Sequence, residues 1–221
     1  MIIFHLPVCF DDIPRITGGR RQFEIECLKF NLERMQSADV EVYVSVSING
    51  SYTSEYVEQV YSLVDKYDNV EYFHRANTGY QWGGYYDVWK RTKHFDADKF
   101  GTMEIDHCLY KDWYKKLGRH HTGMPPWKDH MEPVEFPPDW RGNRRMEHTQ
   151  GPLHICSREV LTALDKMFGC FTNSVGCDHE IDGIVHGEVT FCGKIIECGY
   201  KLNPVERICI PIIQYKRGNY E

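Results

Sequence analysis

The sequence predicts an α/β protein in which a mostly parallel central sheet is flanked by helices. Apolar, β-branched segments alternate with segments of helical periodicity from the N-terminus to residue 117. Turn residues such as Asn49-Gly50 separate these segments. The 221 residues suffice for one domain with a sizeable core, and the balance of 42% hydrophobic and 26% charged residues is that of an ordinary globular protein.

Four strands and four helices are predicted in the first 117 residues. Because each strand is followed by a helix, the strands are expected to run parallel and to end at one edge of the sheet, where ligands of such sheets bind. The predicted strands are 2–9, Asp39–Ile48, Asn69–His74 and Lys99–Ile105. The predicted helices start at Arg20 (with Ile25, Leu28, Leu32 and Met35 on one face) and at the N-cap Ser54, and cover 80–94 and Asp112–Leu117.

The second half departs from this alternation. Residues 118–149 are rich in proline and tryptophan and predict a long functional loop. Ser157 is placed to cap a helix that follows a strand at Leu153–Cys156. The remaining predictions are a helix at Asp178–Gly187 and strands at Val189–Glu197 and Ile208–Ile213.

Composition excludes several classes of function. A net charge of −6 gives no overall attraction to nucleic acid, so no nucleic-acid partner is expected. No apolar run is long enough for a membrane span. Nine cysteines behind an N-terminus without secretory features favour free thiols and a cytoplasmic location, in the host if the chain is viral. Zinc is not favoured, because no pair of cysteines has C-x2-C spacing.

Two acidic pairs could bind a divalent cation. Asp96 and Asp98 form a literal D-x-D, but they precede the fourth predicted strand and suit a solvated turn. Glu104 and Asp106 come at the end of that strand, where alternation would place both on one side. Two carboxylates so placed can hold Mn²⁺ or Mg²⁺, which in turn binds a diphosphate. A buried acid paired with a basic side chain remains the alternative for Glu104.

Three segments resemble the GT-A class of nucleotide-sugar-dependent glycosyltransferases. The run RANTGYQWGGYYDVWK shortly before MEIDH is similar to the N-x-G segment and helix that lead to the D-x-D strand of that class. TQGPLHICSREVL resembles its acceptor-side segment, and GCDHEIDGIVHG its acidic helix. The small size is similar to that of viral and bacterial members, including capsid-glycosylating transferases of large algal viruses.

The resemblance implies a single-domain GT-A-like (Rossmann-like) fold over residues 1–221, with a nucleotide-sugar half at 1–117 and an acceptor half at 118–221. It implies an acidic base from the 178–182 group, whose identity stays open, and tryptophans that stack on the acceptor. The implied donor-binding residues are Pro7, Val8, Ser47, Arg75, Asn77, Gly79 and Asp106. The implied catalytic acids are Asp178, Glu180 and Asp182, and the implied acceptor-binding residues are Trp127 and Trp140.

The function expected from these features is metal-dependent transfer of a sugar from a nucleotide-diphosphate donor, a UDP- or GDP-sugar, to a glycan or protein-glycan acceptor. G-x-G-x-x-G and P-loop motifs are absent from the sequence. A sugar nucleotidyltransferase is the first alternative, since it also uses a parallel sheet and metal-bound diphosphates. A non-enzymatic carbohydrate-binding protein is the second, and it would leave Glu104 and Asp106 without a role.

Overall fold

Strands and helices alternate through the first half of the chain, as the sequence predicts. The computed structural model describes residues 1–9, 20–49, 55–76, 80–125, 149–171 and 187–215. The strands are β1 (Ile2–Cys9), β2 (Val42–Asn49), β3 (Val70–Arg75), β4 (Lys99–Met103), β5 (His107–Leu109), β6 (His121–Met124), β7 (Gln150–Ser157) and β8 (Cys209–Pro211). The helices are α1 (Arg20–Gln36), α2 (Glu55–Val64), α3 (Tyr80–Thr92), α4 (Arg158–Phe168), α5 (Thr190–Glu197) and α6 (Ile212–Tyr215), with a short 3₁₀ helix at Trp113–Lys116.

Six strands form one mostly parallel sheet in the order β3-β2-β1-β4-β7-β6. β1 pairs in parallel with both β2 and β4, and β2 pairs in parallel with β3. β7 is antiparallel to both of its neighbours, β4 and β6. β5 and β8 form a separate antiparallel pair beside the end of β4. The parallel strands therefore end at one edge, which the small β5–β8 pair borders.

Helices cover both faces of the sheet, because alternate side chains of each strand enter different cores. In β1, the even-numbered residues from Ile2 to Val8 pack against α1 and α2. Ile3 lies on the opposite face, among aromatic residues of α3 and apolar residues of α4 and α5. Burial on both faces explains why β1 and β2 are almost continuously buried.

The predicted strand Val189–Glu197 is wrong, since Thr190–Glu197 forms the helix α5. The local run of β-branched and aromatic residues favours a strand. However, Phe191 and Ile195 lie one helical turn apart and are both fully buried in the core under α3. Tertiary packing of this stripe therefore outweighs the local preference.

Two further elements differ from the prediction. β6 lies inside the segment 118–149, which the sequence predicts to be loop, and it pairs with β7. The strand predicted over Ile208–Ile213 ends at Pro211, where α6 begins. The predicted N-cap is confirmed, because the Ser157 hydroxyl accepts the Val160 N–H at 3.3 Å. Among the described residues, no helix has the length and apolarity needed to cross a bilayer.

Candidate active site

Three potential metal ligands meet directly after β4. Glu104, Asp106 and His107 each offer one ligand atom, and these atoms lie within 4.8 Å of one another. β4 ends at Met103, so the two acids lie in the turn before β5 and not on an extended strand. The turn, rather than strand alternation, brings the predicted pair together. It also adds His107, which the sequence prediction missed.

Hydrogen bonds to three other elements fix this turn. The Glu104 N–H donates to the Pro152 carbonyl at 2.8 Å, and the Ile212 N–H donates to the Asp106 carbonyl at 2.8 Å. From α1, the buried Asn31 side chain donates to a β5 carbonyl at 2.8 Å and accepts a β5 N–H at 2.9 Å. The ligand positions therefore depend on α1, β7 and α6, which lie far apart in sequence.

The turn has one buried and one exposed ligand group. The Asp106 side chain is 54% exposed, whereas that of His107 is 7% exposed. The two are joined by a contact of 2.6 Å between His107 Nδ1 and Asp106 Oδ1. Behind them, burial raises the pKa of the Cys209 thiol, and the negative charges of Glu104 and Asp106 raise it further. The thiol therefore stays protonated next to an acidic site.

This donor set fits a divalent cation. Carboxylate oxygens suit Mg²⁺ and Mn²⁺, and an imidazole nitrogen suits first-row transition metals. Ions with ligand distances of about 2.0–2.6 Å bring their ligand atoms within about 4–5 Å of one another, as found here. The buried Nε2 of His107 has no hydrogen-bond partner among the described residues, so the imidazole has not used all its bonding capacity. Glu104, Asp106 and His107 are the residues that would hold the ion.

The predicted donor-binding residues of β1 and β2 lie at the same edge, beside the ligand turn. Pro7 and Val8 are buried near the end of β1. Ser47 is also fully buried, and its Oγ accepts a hydrogen bond from Asn49 Nδ2 at 3.2 Å. Because Val8 and Ser47 have no exposed surface, they can influence a ligand only through the residues that they support.

Arg75 ends β3, and its guanidinium bonds to side chains of α3 and β2. Its Nε donates to Asp87 Oδ2 at 3.0 Å, and its Nη1 donates to Asn49 Oδ1 at 2.8 Å. The Arg75 side chain is only 9% exposed, so its orientation is closely defined. Asp87 comes from α3 and also contacts Lys90 at 3.2 Å. The sequence prediction missed Asp87 and Asn49 as supports of this arginine.

A surface depression of about 430 Å³ lies beside Arg75, between β3 and α3. Its lining combines cations with an aromatic ring, and the Arg91 guanidinium lies over the Phe73 ring at 4.8 Å. This chemistry suits a ligand with both a planar group and negative charge. The lining residues are Phe73, His74, Arg75, Asp87, Lys90 and Arg91.

The remaining predicted site residues lie outside the described residues. They are Asn77, Gly79, Trp127, Trp140, Asp178, Glu180 and Asp182. Their roles stay predictions, as does the helix expected at Asp178–Gly187.

Solved structures share this fold, but sequence comparison finds no relative. No protein-family model matches the chain, and no curated protein sequence matches it. Staphylococcus aureus TarS residues 1–349, crystallised with UDP-GlcNAc, superposes with a TM-score of 0.56 and 13% identity. That match covers 92% of this chain and 55% of the TarS chain.

Two nucleotidyltransferases are also similar in fold. The 4-diphosphocytidyl-2C-methyl-D-erythritol synthase of Anaerococcus prevotii has a TM-score of 0.50 and 14% identity, over 89% of this chain and 93% of that one. The inositol-1-phosphate CTP transferase of T. maritima has a TM-score of 0.50 and 11% identity, over 91% of this chain and 84% of that one.

The order of strands and the covering helices place the chain in the GT-A-like Rossmann fold class. At these identities the likeness extends to the fold alone. The function of the chain therefore depends on the groups at the edge of its sheet.

Proposed function

We propose that this protein is a metal-dependent glycosyltransferase, which moves a sugar from a nucleotide-diphosphate donor to a glycan or protein-glycan acceptor. The observation that carries the proposal is the convergence of Glu104, Asp106 and His107 just beyond the parallel strands. Ligands of open α/β sheets bind at this edge. A metal-bound diphosphate is the ligand that joins such a cation site to the cationic end of β3.

The spacing of the strands supports this ligand. β3 and β4 are separated by β2 and β1, so their ends lie about 14 Å apart at the usual strand spacing. An extended nucleoside diphosphate is long enough to cover most of that distance. We assign its base and ribose to the depression beside Arg75, and its diphosphate to the turn at Asp106. Pro7 and Val8, both buried at the end of β1, would support the backbone between these two positions.

Each residue has a role that follows from its chemistry. Asp106 and Glu104, with His107, would hold Mn²⁺ or Mg²⁺, and the bound cation would stabilise the negative charge of the departing nucleoside diphosphate. Arg75 would bind the donor through a guanidinium already fixed by Asp87. Asn77 and Gly79 precede α3, where backbone N–H groups suit an anion.

The acceptor would bind on the other side of the site. Trp127 and Trp140 would stack on its sugar rings, because indole faces pack well against the apolar faces of sugars. In an inverting reaction, Asp178, Glu180 or Asp182 would take the proton of the attacking hydroxyl. The assignment to residues 118–221 of an acceptor-binding half belongs to this proposal, as do a cytoplasmic location and kinship with the viral capsid-glycosylating enzymes.

UDP- and GDP-sugars are the proposed donors. The binding of UDP-GlcNAc by TarS, which shares the fold, supports a uridine nucleotide. The two nucleotidyltransferases of similar fold support a second candidate function, the joining of a nucleotide to a sugar phosphate. A non-catalytic carbohydrate-binding protein has less support, because it gives the three converging ligands no task.

The products of the reaction distinguish the candidates. The protein is incubated with Mn²⁺ and UDP-GlcNAc, UDP-glucose or GDP-mannose, together with a panel of glycans, and in parallel with UTP or CTP and sugar 1-phosphates. We expect free nucleoside diphosphate in the first set and no pyrophosphate in the second. Pyrophosphate release in the second set alone would establish the nucleotidyltransferase instead. Sugar binding without either product would establish the binding protein.

A further inference from the structure

A continuous chain of buried hydrogen bonds crosses the four parallel strands on the face covered by α3. It begins at Thr102 of β4, whose Oγ1 lies 2.8 Å from Nδ1 of His5 in β1. The other ring nitrogen of His5, Nε2, lies 2.8 Å from Ser47 Oγ in β2. From Ser47 the chain continues through Asn49 at 3.2 Å to Arg75 at 2.8 Å. It therefore links the strand of the metal turn to the arginine of the surface depression.

The donors are defined on the Arg75 side of this chain, and the neutral ring of His5 joins that side to Thr102. Burial lowers the pKa of His5 to about 3, and the charge of Arg75 lowers it further, so the ring is neutral and carries one N–H. Arg75 donates to the oxygen of Asn49, and the amide nitrogen of Asn49 donates both to Ser47 Oγ at 3.2 Å and to the Val8 carbonyl at 2.9 Å. The neutral ring of His5 donates to one of the two hydroxyls, Ser47 Oγ or Thr102 Oγ1, and accepts from the other, so both tautomers keep the chain connected. Hydrogen bonds connected in this way strengthen one another.

α3 closes over the middle of the chain. A Cβ added to Gly84 would lie 2.5 Å from His5 Nε2 and 3.1 Å from Ser47 Oγ, so glycine is required for this close approach. The next residue, Tyr85, stacks its ring on that of His5 with centroids 6.5 Å apart. The same helix supplies Asp87, the second partner of Arg75. The helix that covers His5 therefore also supplies a partner of Arg75.

We propose that His5 is a positioning residue, which acts through Ser47 and Asn49 to hold the Arg75 guanidinium in place for the nucleotide. The positioning of Arg75 stands on the hydrogen bonds alone, and only the identity of the ligand rests on the proposed function. On this account, Ser47 contributes to donor binding without touching the donor. Preset orientation of Arg75 lowers the ordering cost of binding.

Two substitutions of His5 distinguish the two arms of the hydrogen-bond chain, which are the bond to Ser47 and the bond to Thr102. The amide of His5→Gln reaches the position of Nε2 and can keep the bond to Ser47. The amide of His5→Asn reaches only the position of Nδ1, so it can keep Thr102 but loses Ser47. Both replace a buried ring with a smaller amide. A purely structural role therefore predicts similar effects from the two, whereas positioning predicts a difference.

The first readout needs no ligand. It is the hydrogen-exchange rate of the Arg75 Nε–H, followed by ¹⁵N NMR on the full chain. We expect faster exchange in His5→Asn and a rate close to wild type in His5→Gln. Equal rates in the two variants would overturn the proposal. If His5→Asn does not fold, Ser47→Ala and Thr102→Val test the same two arms, and only Ser47→Ala should release Arg75.

The second readout is affinity for UDP or GDP with Mn²⁺, using whichever binds the wild type more tightly. Loss of one hydrogen bond in the chain should raise Kd about threefold to tenfold in His5→Asn and less than about twofold in His5→Gln. Equal affinities in the two variants would contradict the link between His5 and the nucleotide. If the wild type binds neither nucleotide, the proposed function fails, and the exchange rates still decide whether His5 positions Arg75.

Discussion

The two ends of the proposed donor site differ in how they hold their charges. At the β3 end, Arg75 is 9% exposed and already bonded to Asp87 and Asn49. At the β4 end, Asp106 is 54% exposed and lies in a turn with Glu104, next to His107 at the start of β5. At the first end the cation is already paired within the protein. At the second end, negative groups lie close together, and a bound cation would neutralise them. A preset cationic end and a metal-dependent end suit the two parts of a nucleoside diphosphate.

The largest expected effect is at the metal-dependent end. Asp106→Asn should raise the Kd for Mn²⁺ about 100-fold, because the neutral amide is a much weaker ligand than the carboxylate. Mn²⁺ binding is measured by electron paramagnetic resonance of the free ion. The control is Asp96→Asn, which removes an exposed acid from the literal D-x-D before β4. Equal losses in both variants would mean that the acids act only through overall charge.

The next largest expected effect is a loss of folding stability at acidic pH. Burial lowers the pKa of His5 to about 3, with a further contribution from Arg75, and burial lowers that of His121 to about 3. The unfolded chain gains these protons below pH 6.5, while the folded chain does not until about pH 3, so stability falls as pH falls. From pH 7.5 to 5.5 the free energy of unfolding should decrease by about 2.5 kcal/mol for the two histidines together.

Urea unfolding at each pH measures this loss. His5→Gln should show about half of the decrease, because one of the two histidines is gone. A wild-type stability that is flat between pH 7.5 and 5.5 would show that these rings do not stay neutral in the folded protein.

A smaller effect is expected from Arg75 itself. Arg75→Met should weaken UDP or GDP binding about tenfold to fiftyfold, the size expected for one charged hydrogen-bonding group. The control is Lys93→Met, which removes a half-exposed cation paired with Asp165 at 3.2 Å, just beyond the same helix. Isothermal titration calorimetry measures both. If the two variants weaken binding equally, Arg75 contributes only through the overall positive charge, and its fixed orientation has no role in binding.

The sequence predicts the parallel half of the fold because its strands are continuous apolar runs. Such runs can be recognised from the neighbouring residues alone. It fails at α5, where Phe191 and Ile195 form a helical stripe within residues of high strand preference. Whether this segment forms a helix or a strand depends on the core under α3, and the periodicity of a single sequence carries no information about that core. β6 is missed for the same reason, since its partner β7 comes after a long separation in sequence.

The site was predictable in part. Glu104 and Asp106 stand out as acids after an apolar strand, but the turn that adds His107 depends on bonds from distant elements such as Ile212. The buried chain of hydrogen bonds is indicated more weakly by the sequence. In β2, every second residue from Ser45 to Asn49 is polar, on the face opposite the valines, and His5 interrupts an apolar run. Only the structure shows that α3 covers this face.

The most direct test of the central claim is the effect of Mn²⁺ on nucleotide binding, measured by calorimetry for UDP and GDP and for the corresponding nucleosides. A diphosphate joined to Asp106 through a cation should bind at least about tenfold more tightly with Mn²⁺ than with EDTA. The nucleosides and the Asp106→Asn variant should show no such gain. Diphosphate binding that is equal with Mn²⁺ and with EDTA, or no diphosphate binding at all, would contradict the account.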